Sequence, residues 1–420
     1  MNSSFSSTAA DGALRVAVIG AGERAEIARY AIDDETGVRI VAVADTSVEG
    51  RNRAIGRFGP DVILYESHTE LIAAGGVDAA FVTTPDFTHA EITIDLLRAG
   101  IAVYLEKPLA ISVAECDSVL EAARETGTTL YVGHNFRQSA VVTLMRDIIE
   151  RGEIGEVKAV WCRHFVGNGG DYYFKDWHAD RRNTNSLLLQ KGSHDLDVIH
   201  YLAGGYTRRV VAMGGLVVYG RIADRGDRSG QRMQDWFSLD NWPPLAQKRL
   251  NPVIDVEDIS MMLMELDNGV MASYQQCHFT PDYWRNYTVI GTEGRLENFG
   301  DTAGGVVKVW NRRHEYAPNG DAEYAIGGVE TGHADADRLT VAEFINHIRT
   351  GARTEASLVA ARYAAVAGAL AAQSLRGGAV PLDVPALDPQ LVEYLQQFSQ
   401  HIERRPDDQR GVTTRPGTFL

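Results

Sequence analysis

Cysteine, proline and basic charge are all scarce in this sequence. The three cysteines, Cys116, Cys162 and Cys277, lie far apart, are odd in number and form no CxxC pair. That argues against a disulfide framework or a zinc knuckle and suits buried thiols in a reducing compartment, so a cytoplasmic location is expected. Thirteen prolines beside 41 glycines exclude a proline-rich or collagen-like chain. Lys plus Arg number 41 against 56 Asp plus Glu, a formal charge of −15. An acidic chain repels phosphate backbones, so no nucleic-acid partner is expected. The pure apolar runs are short, so no membrane span is expected. Residues 1–12 are Ser-rich, without a basic start or an apolar stretch, and read as a disordered leader rather than a secretion signal.

What remains is the balance of a globular protein: 420 residues, 45% hydrophobic and 23% charged, too long for one ordinary core. Apolar β-branched runs at Leu14–Ile19, Val38–Ala44, Ala79–Thr83, Ile101–Leu105 and Thr129–Val132 alternate with helical stretches at Glu23–Asp34, Ala90–Arg98 and Val113–Glu125. This alternation predicts a doubly wound parallel sheet, an α/β nucleotide-binding domain over 13–133. A helix at Val141–Glu150, a strand at Glu156–Phe165, a polar aromatic loop at Gly167–Asn185 and a helix at Ser193–Leu202 come next. Strands then follow one another at Arg209–Tyr219, Asp255–Leu266, Val270–His278, Tyr287–Gly291 and Arg295–Phe299, joined by Asp267-Asn268-Gly269 and Thr292-Glu293-Gly294 turns. Residues 134–385 therefore read as an α+β domain with a mainly antiparallel sheet, interrupted by a polar insertion at 221–251. Further helices are expected at Asp337–Thr350 and Val359–Leu375, and residues 386–420 as a last helix, Pro389–Ile402, with a charged tail.

Gly20-Ala21-Gly22-Glu23-Arg24-Ala25 follows the first strand and opens a helix, the context a dinucleotide fingerprint requires. Gly20 permits the tight turn, Gly22 lets the main chain approach a pyrophosphate, and the helix start offers N–H groups to that anion. Asp45 ends the second strand, where a carboxylate accepts ribose hydroxyls and repels a 2′-phosphate. NAD is the expected cofactor, with Arg51 and Arg53 leaving NADP open. Thr83-Thr84-Pro85-Asp86-Phe87-Thr88-His89 and Glu106-Lys107-Pro108 lie at carboxyl ends of later strands, where ligands of open α/β sheets bind.

These segments, with Gly133-His134-Asn135-Phe136-Arg137, Lys191-Gly192-Ser193-His194-Asp195-Leu196-Asp197 and Ile290-Gly291-Thr292-Glu293-Gly294, resemble the Gfo/Idh/MocA family from about Leu14 to Val384. The resemblance implies a Rossmann domain, a second domain with a large open sheet that serves as an oligomer face in dimers or tetramers, and an active site between them. It implies oxidation or reduction of CH–OH groups of sugars, glycosides or cyclitols with NAD(P). It places Lys107 beside the nicotinamide and the reacting hydroxyl, with a cis Lys107–Pro108 bond. It puts Gly20, Ala21, Gly22, Glu23, Arg24, Asp45, Thr83, Thr84, Pro85, His89, Glu106, Lys107 and Asn135 around the cofactor.

His194 is the candidate proton acceptor, since imidazole titrates near neutrality. Many relatives carry a carboxylate four residues earlier, where this chain has Gln190. An amide orients a hydroxyl but relays no proton, and Lys191, Asp195 and Asp197 are the alternatives. The substrate wall is expected from Tyr173, Trp177, His178 and Arg182, with Lys107, His194 and His333. No ligand spacing among His178, His194 and His333 supports a metal site. Two other functions share these features: a glycoside hydrolase that oxidises transiently and retains NAD, and a non-catalytic NAD-binding regulator.

Overall fold

The computed structural model describes residues 13–33, 37–228, 230–328 and 334–399. The first sheet contains β1 (Leu14–Ile19), β2 (Val38–Ala44), β3 (Ile63–Tyr65), β4 (Ala79–Val82), β5 (Ala102–Glu106) and β6 (Leu130–Gly133). Their order is β3-β2-β1-β4-β5-β6, parallel throughout. The order reverses between β1 and β4, which opens a crevice at their carboxyl ends. β4 and β5 are buried along their whole length, as strands covered on both faces must be. β3 escapes sequence reading because three residues carry no period. The stretch after Gly22 is shorter than expected and forms tight helical turns over Glu23–Ala31.

The second sheet holds β7 (Val157–Phe165), β8 (Thr207–Gly215), β9 (Ile259–Leu266), β10 (Met271–Cys277), β11 (Trp284–Gly291), β12 (Arg295–Phe299), β13 (Val306–Trp310), β14 (Ala322–Ala325) and β15 (Leu382–Asp383). It runs β14-β13-β12-β11-β7-β10-β9-β8-β15. β7 and β10 are parallel neighbours and every other pair is antiparallel, so the sheet is mixed. Met262 and Met264 point inward, while Met261 and Leu263 stand outward beside Met213 and Met271. This strand thus presents apolar side chains to both faces of the sheet.

Chain order and spatial order part company near the C-terminus. Helix Ala334–Thr350 brings Val341 and Phe344 onto one face of the first sheet, against Phe81, Tyr104 and Tyr131. Helix Pro389–Gln396 adds Leu391 and Leu395 to the opposite face. Helix Leu358–Arg376 is long and apolar enough to cross a membrane, yet it is largely buried. Its Val359, Ala361, Ala365 and Val366 pack into the core of the first sheet, and Ala364, Ala367 and Ala371 into that of the second. It is the seam of the molecule. Gly368 lets it approach Leu188 and Leu189, where a methyl group would lie 2.7 Å from a carbonyl oxygen.

Candidate active site

The turn after β1 is built as a cradle. Gly20 adopts φ +90°, and an added Cβ there would meet Thr84 at 2.8 Å. At Gly22 an added Cβ would meet nothing within 4 Å, so its backbone faces open space. No side chain caps the helical turns that begin there. This arrangement fits a pyrophosphate held by main-chain N–H groups. The Asp45 carboxylate accepts from Ala21 N–H at 2.7 Å and from the Ser47 amide and hydroxyl at 2.8 and 2.7 Å. It is thereby fixed at the tip of β2. Arg51 donates to the Asp45 carbonyl and to Glu66, and Arg53 lies 3.5 Å from the Ala21 carbonyl.

Several residues expected around the cofactor hold the walls together instead. Arg24 donates to Glu106 at 2.7 Å and to both oxygens of Asp337 at 2.6 and 2.7 Å. Burial disfavours its charge, but the two carboxylates overcome that and keep the guanidinium firmly protonated. Asn135 also donates to Asp337. Asp337, named from the sequence only as the start of a helix, thus clamps the helix Ala334–Thr350 to the ends of β1, β5 and β6. His89 is 1% exposed, with Nδ1 2.7 Å from the Pro108 carbonyl and Nε2 3.0 Å from that of Thr84. Burial pushes its pKa down to about 4, so a neutral ring donates to one carbonyl and abuts the other. It pins the two strand-end loops together, with both ring nitrogens against carbonyls. Thr83 donates to the Gly20 carbonyl at 2.7 Å, and Thr84 and Pro85 both accept from the Thr88 hydroxyl.

Lys107 follows β5 through a cis bond to Pro108. Its Nζ donates to the Gln190 carbonyl at 2.9 Å, a bond that joins the two layers one turn before His194. Burial lowers the Lys107 pKa, with Asp86 and Glu106 opposing the shift. Asp86 is 4% exposed and its Oδ2 has no hydrogen-bond partner. Burial raises its pKa to about 7 against the pull of Lys107. Asp86 was named on sequence only as part of the segment Thr83–His89 and not as a site residue.

His194 and Asp195 begin helix Gly192–Ala203, and both are buried. Asp195 meets His164 Nδ1 at 2.8 Å and the Tyr287 hydroxyl at 2.5 Å, and Arg285 Nε lies 3.0 Å away. Burial would raise its pKa, but Arg285, His164 and Tyr287 hold it far below the usual carboxylate range. Asp197 is gripped by Arg137 at 2.5 and 3.1 Å. Lys191 sits near the Tyr283 ring, its pKa pushed down to about 7 by burial and by repulsion from Arg285 and Lys107.

The aromatic segment forms one wall. His178 stacks on Trp177 with ring centroids 3.8 Å apart and meets Tyr173 edge-on at 5.2 Å. Burial, then Lys107 and Lys191, push the His178 pKa down to about 3. Arg182 does not join this wall. Its side chain is 76% exposed and tied to Asp180, because the turn Arg181–Thr184 faces outward. His333 lies outside the described residues. The insertion is pinned by Trp236, which donates to the Asp171 carbonyl at 2.8 Å. Its Gln234 donates to Glu23 at 3.0 Å, so Glu23 is a contact of the insertion at the rim of the dinucleotide turn.

Two family models cover most of the chain: an oxidoreductase family, NAD-binding Rossmann fold, at residues 14–134, and its C-terminal alpha/beta domain at residues 146–384. An inositol 2-dehydrogenase of Gluconacetobacter diazotrophicus is 33% identical over 40% of this chain and 48% of its own length. One from Burkholderia multivorans is 31% identical over 46% and 55%. The chain thus spans about half the length of these curated relatives. Levoglucosan dehydrogenase in complex with NADH and levoglucosan superposes with a TM-score of 0.72 at 19% identity, over 89% of this chain and 100% of that one. WlbA dehydrogenase from Bordetella pertussis, in complex with NADH and UDP-GlcNAcA, gives 0.68 at 20% identity over 90% and 100%. With both of its layers matched in order, the chain belongs to the Gfo/Idh/MocA oxidoreductase family and carries that family's NAD-binding Rossmann domain.

Proposed function

We propose that this protein is an NAD-dependent dehydrogenase that oxidises a CH–OH group of a sugar, glycoside or cyclitol, or reduces the corresponding carbonyl. The observation that carries this reading is the bond from Lys107 Nζ to the Gln190 carbonyl. It draws an amine from the end of β5 against the turn that leads into His194. The bond joins the carboxyl end of the parallel sheet, where ligands of open α/β sheets bind, to the second layer. The inositol and levoglucosan dehydrogenases similar to this chain support the class of substrate.

NAD, when bound, supplies the hydride acceptor. The open backbone of Gly22 would hold its pyrophosphate, and Asp45 its adenosine ribose. A 2′-phosphate there would face a carboxylate, while Arg51 is already committed to the Asp45 carbonyl and Glu66, so NAD is favoured over NADP. Lys107 and His194 would share the alcohol oxygen, one donating to it and the other taking its proton, a task worth roughly 10²–10⁴-fold in rate. Tyr173, Trp177 and His178 would bound the sugar. Relatives that are dehydrogenases give no support to the hydrolase or the regulator. The outward methionines of the second sheet are the face on which a second copy would pack.

The test is a panel of polyols, free sugars and glycosides with NAD and with NADP, followed at the nicotinamide absorbance. Turnover of at least one polyol with NAD, abolished in Lys107→Met and in His194→Ala, is expected. NAD binding without turnover on any of them would overturn the reading.

A further inference from the structure

We propose that Asp86 supplies the carboxylate that Gln190 lacks: it acts through Lys107, and the two groups together take up the proton that the alcohol releases. This rests on the dehydrogenase reading above and assigns a positioning residue within the same site.

Among the described residues, the other carboxylates that neighbour these groups are committed. Asp195 is held by His164, Tyr287 and Arg285, and Asp197 by Arg137. Glu106 and Asp337 are held by Arg24. Asp301 faces Arg285 and Lys191 rather than Lys107. Asp86 differs from these in that one of its oxygens lacks any hydrogen-bond partner, and it follows β4 as Lys107, the cation that pulls on it most, follows the neighbouring strand β5. A buried carboxylate oxygen without a donor is costly, and a chain keeps one where it has work to do. Gln190 accepts from Lys107 with its carbonyl, and its side chain lies beside Asp86.

Other charges around Asp86 do not compete for it. Glu106 belongs to Arg24, and His89 on its own segment is locked between two carbonyls. Tyr173 faces it with a phenol that burial keeps protonated. From the packed turn Arg181–Thr184, Arg181 is tied to Asp255 and Arg182 to Asp180. His178 sits by Lys107 as a neutral ring. Two coupled groups titrate as a pair rather than singly. Oxidation breaks the carbinol C–H bond, whose electron pair leaves with hydrogen to the nicotinamide. The O–H electron pair becomes the second carbonyl bond, and its proton passes to the Lys107–Asp86 pair and from there to water.

Asp86→Asn keeps the shape and removes the charge. In resting protein without cofactor, the pH profile of Lys107 acylation, read peptide by peptide by mass spectrometry, should move to lower pH, because the carboxylate that favours the ammonium is gone. In wild type, infrared titration should show a carboxyl that deprotonates near neutrality and disappears in Asp86→Asn. In turnover, kcat should fall at least tenfold with KM nearly unchanged, and Gln190→Glu in the Asp86→Asn background should recover part of it. Unchanged acylation and infrared profiles would overturn the proposal, as would a wild-type pH limb that survives Asp86→Asn and vanishes only in His194→Ala. If no alcohol is oxidised by wild type, the dehydrogenase reading fails, while the acylation and infrared results still decide whether Asp86 and Lys107 are coupled.

Discussion

At the scale of single residues, the two glycines of the first turn separate folding from binding. Gly20→Ala forces a side chain into φ +90° against Thr84. It should cost about 1–3 kcal/mol in urea unfolding. Gly22→Ala meets open space at an ordinary φ of −67°. Its stability should stay within about 0.5 kcal/mol of wild type. Its NAD affinity, measured by calorimetry, should fall about tenfold or more, since the volume it fills is the one proposed for the pyrophosphate. Equal binding by both variants would remove the pyrophosphate from this turn. The fingerprint and the lysine were legible because backbone turns and strand ends demand particular residues. Arg182 and Asp86 were not, because direction and burial decide their roles. A turn facing outward sends Arg182 to solvent, and burial at the strand end raises the pKa of Asp86.

At the scale of elements, the turn Leu187–Gln190 carries the carbonyl that meets Lys107, and helix Leu358–Arg376 lies directly behind it. Alanine is preferred over glycine in a helix by about 1 kcal/mol. Gly368→Ala should nevertheless fail to stabilise, because overpacking costs about 1–3 kcal/mol and displaces Leu188 and Leu189. A thermal melt no higher than wild type, with kcat lowered, is the expected pair of results. A raised melting temperature with full activity would show that the turn does not depend on this approach. Legibility at this scale followed length and amphipathy. The longer runs of β1, β2 and β7 announce themselves. β13, β14 and β15 do not, since they are short strands at or near the sheet edges that borrow their pairing from neighbours. The parallel pairing of β7 with β10 is likewise set by topology and not by either sequence.

At the scale of the whole molecule, buried neutral histidines set the acid limit. Burial pushes His89, His134 and His200 down to about 4, and His164 and His178 to about 3. The unfolded chain binds protons at these sites near pH 6.5 and the folded chain does not. Their contribution is therefore complete above pH 6.5 and is lost as pH falls toward 4, by about 1 kcal/mol for each at pH 5.5. Buried carboxylates raised by burial, Asp86 and Glu106 among them, act in the opposite sense. Melting temperature should decline steadily from pH 7.5 to 5, and a flat profile would contradict the neutral assignment. The outward apolar face is a second whole-molecule property. Met213, Met261, Leu263 and Met271 are each more than half exposed. Sedimentation should show more than one copy per particle, and Met261→Asp with Leu263→Lys should yield a monomer.

Because one alanine-rich rod is planted in both hydrophobic interiors, neither lobe can melt and leave the other standing. Calorimetry should trace a single endotherm for the whole chain, and a coenzyme that grips only the first lobe should raise that one transition without splitting it.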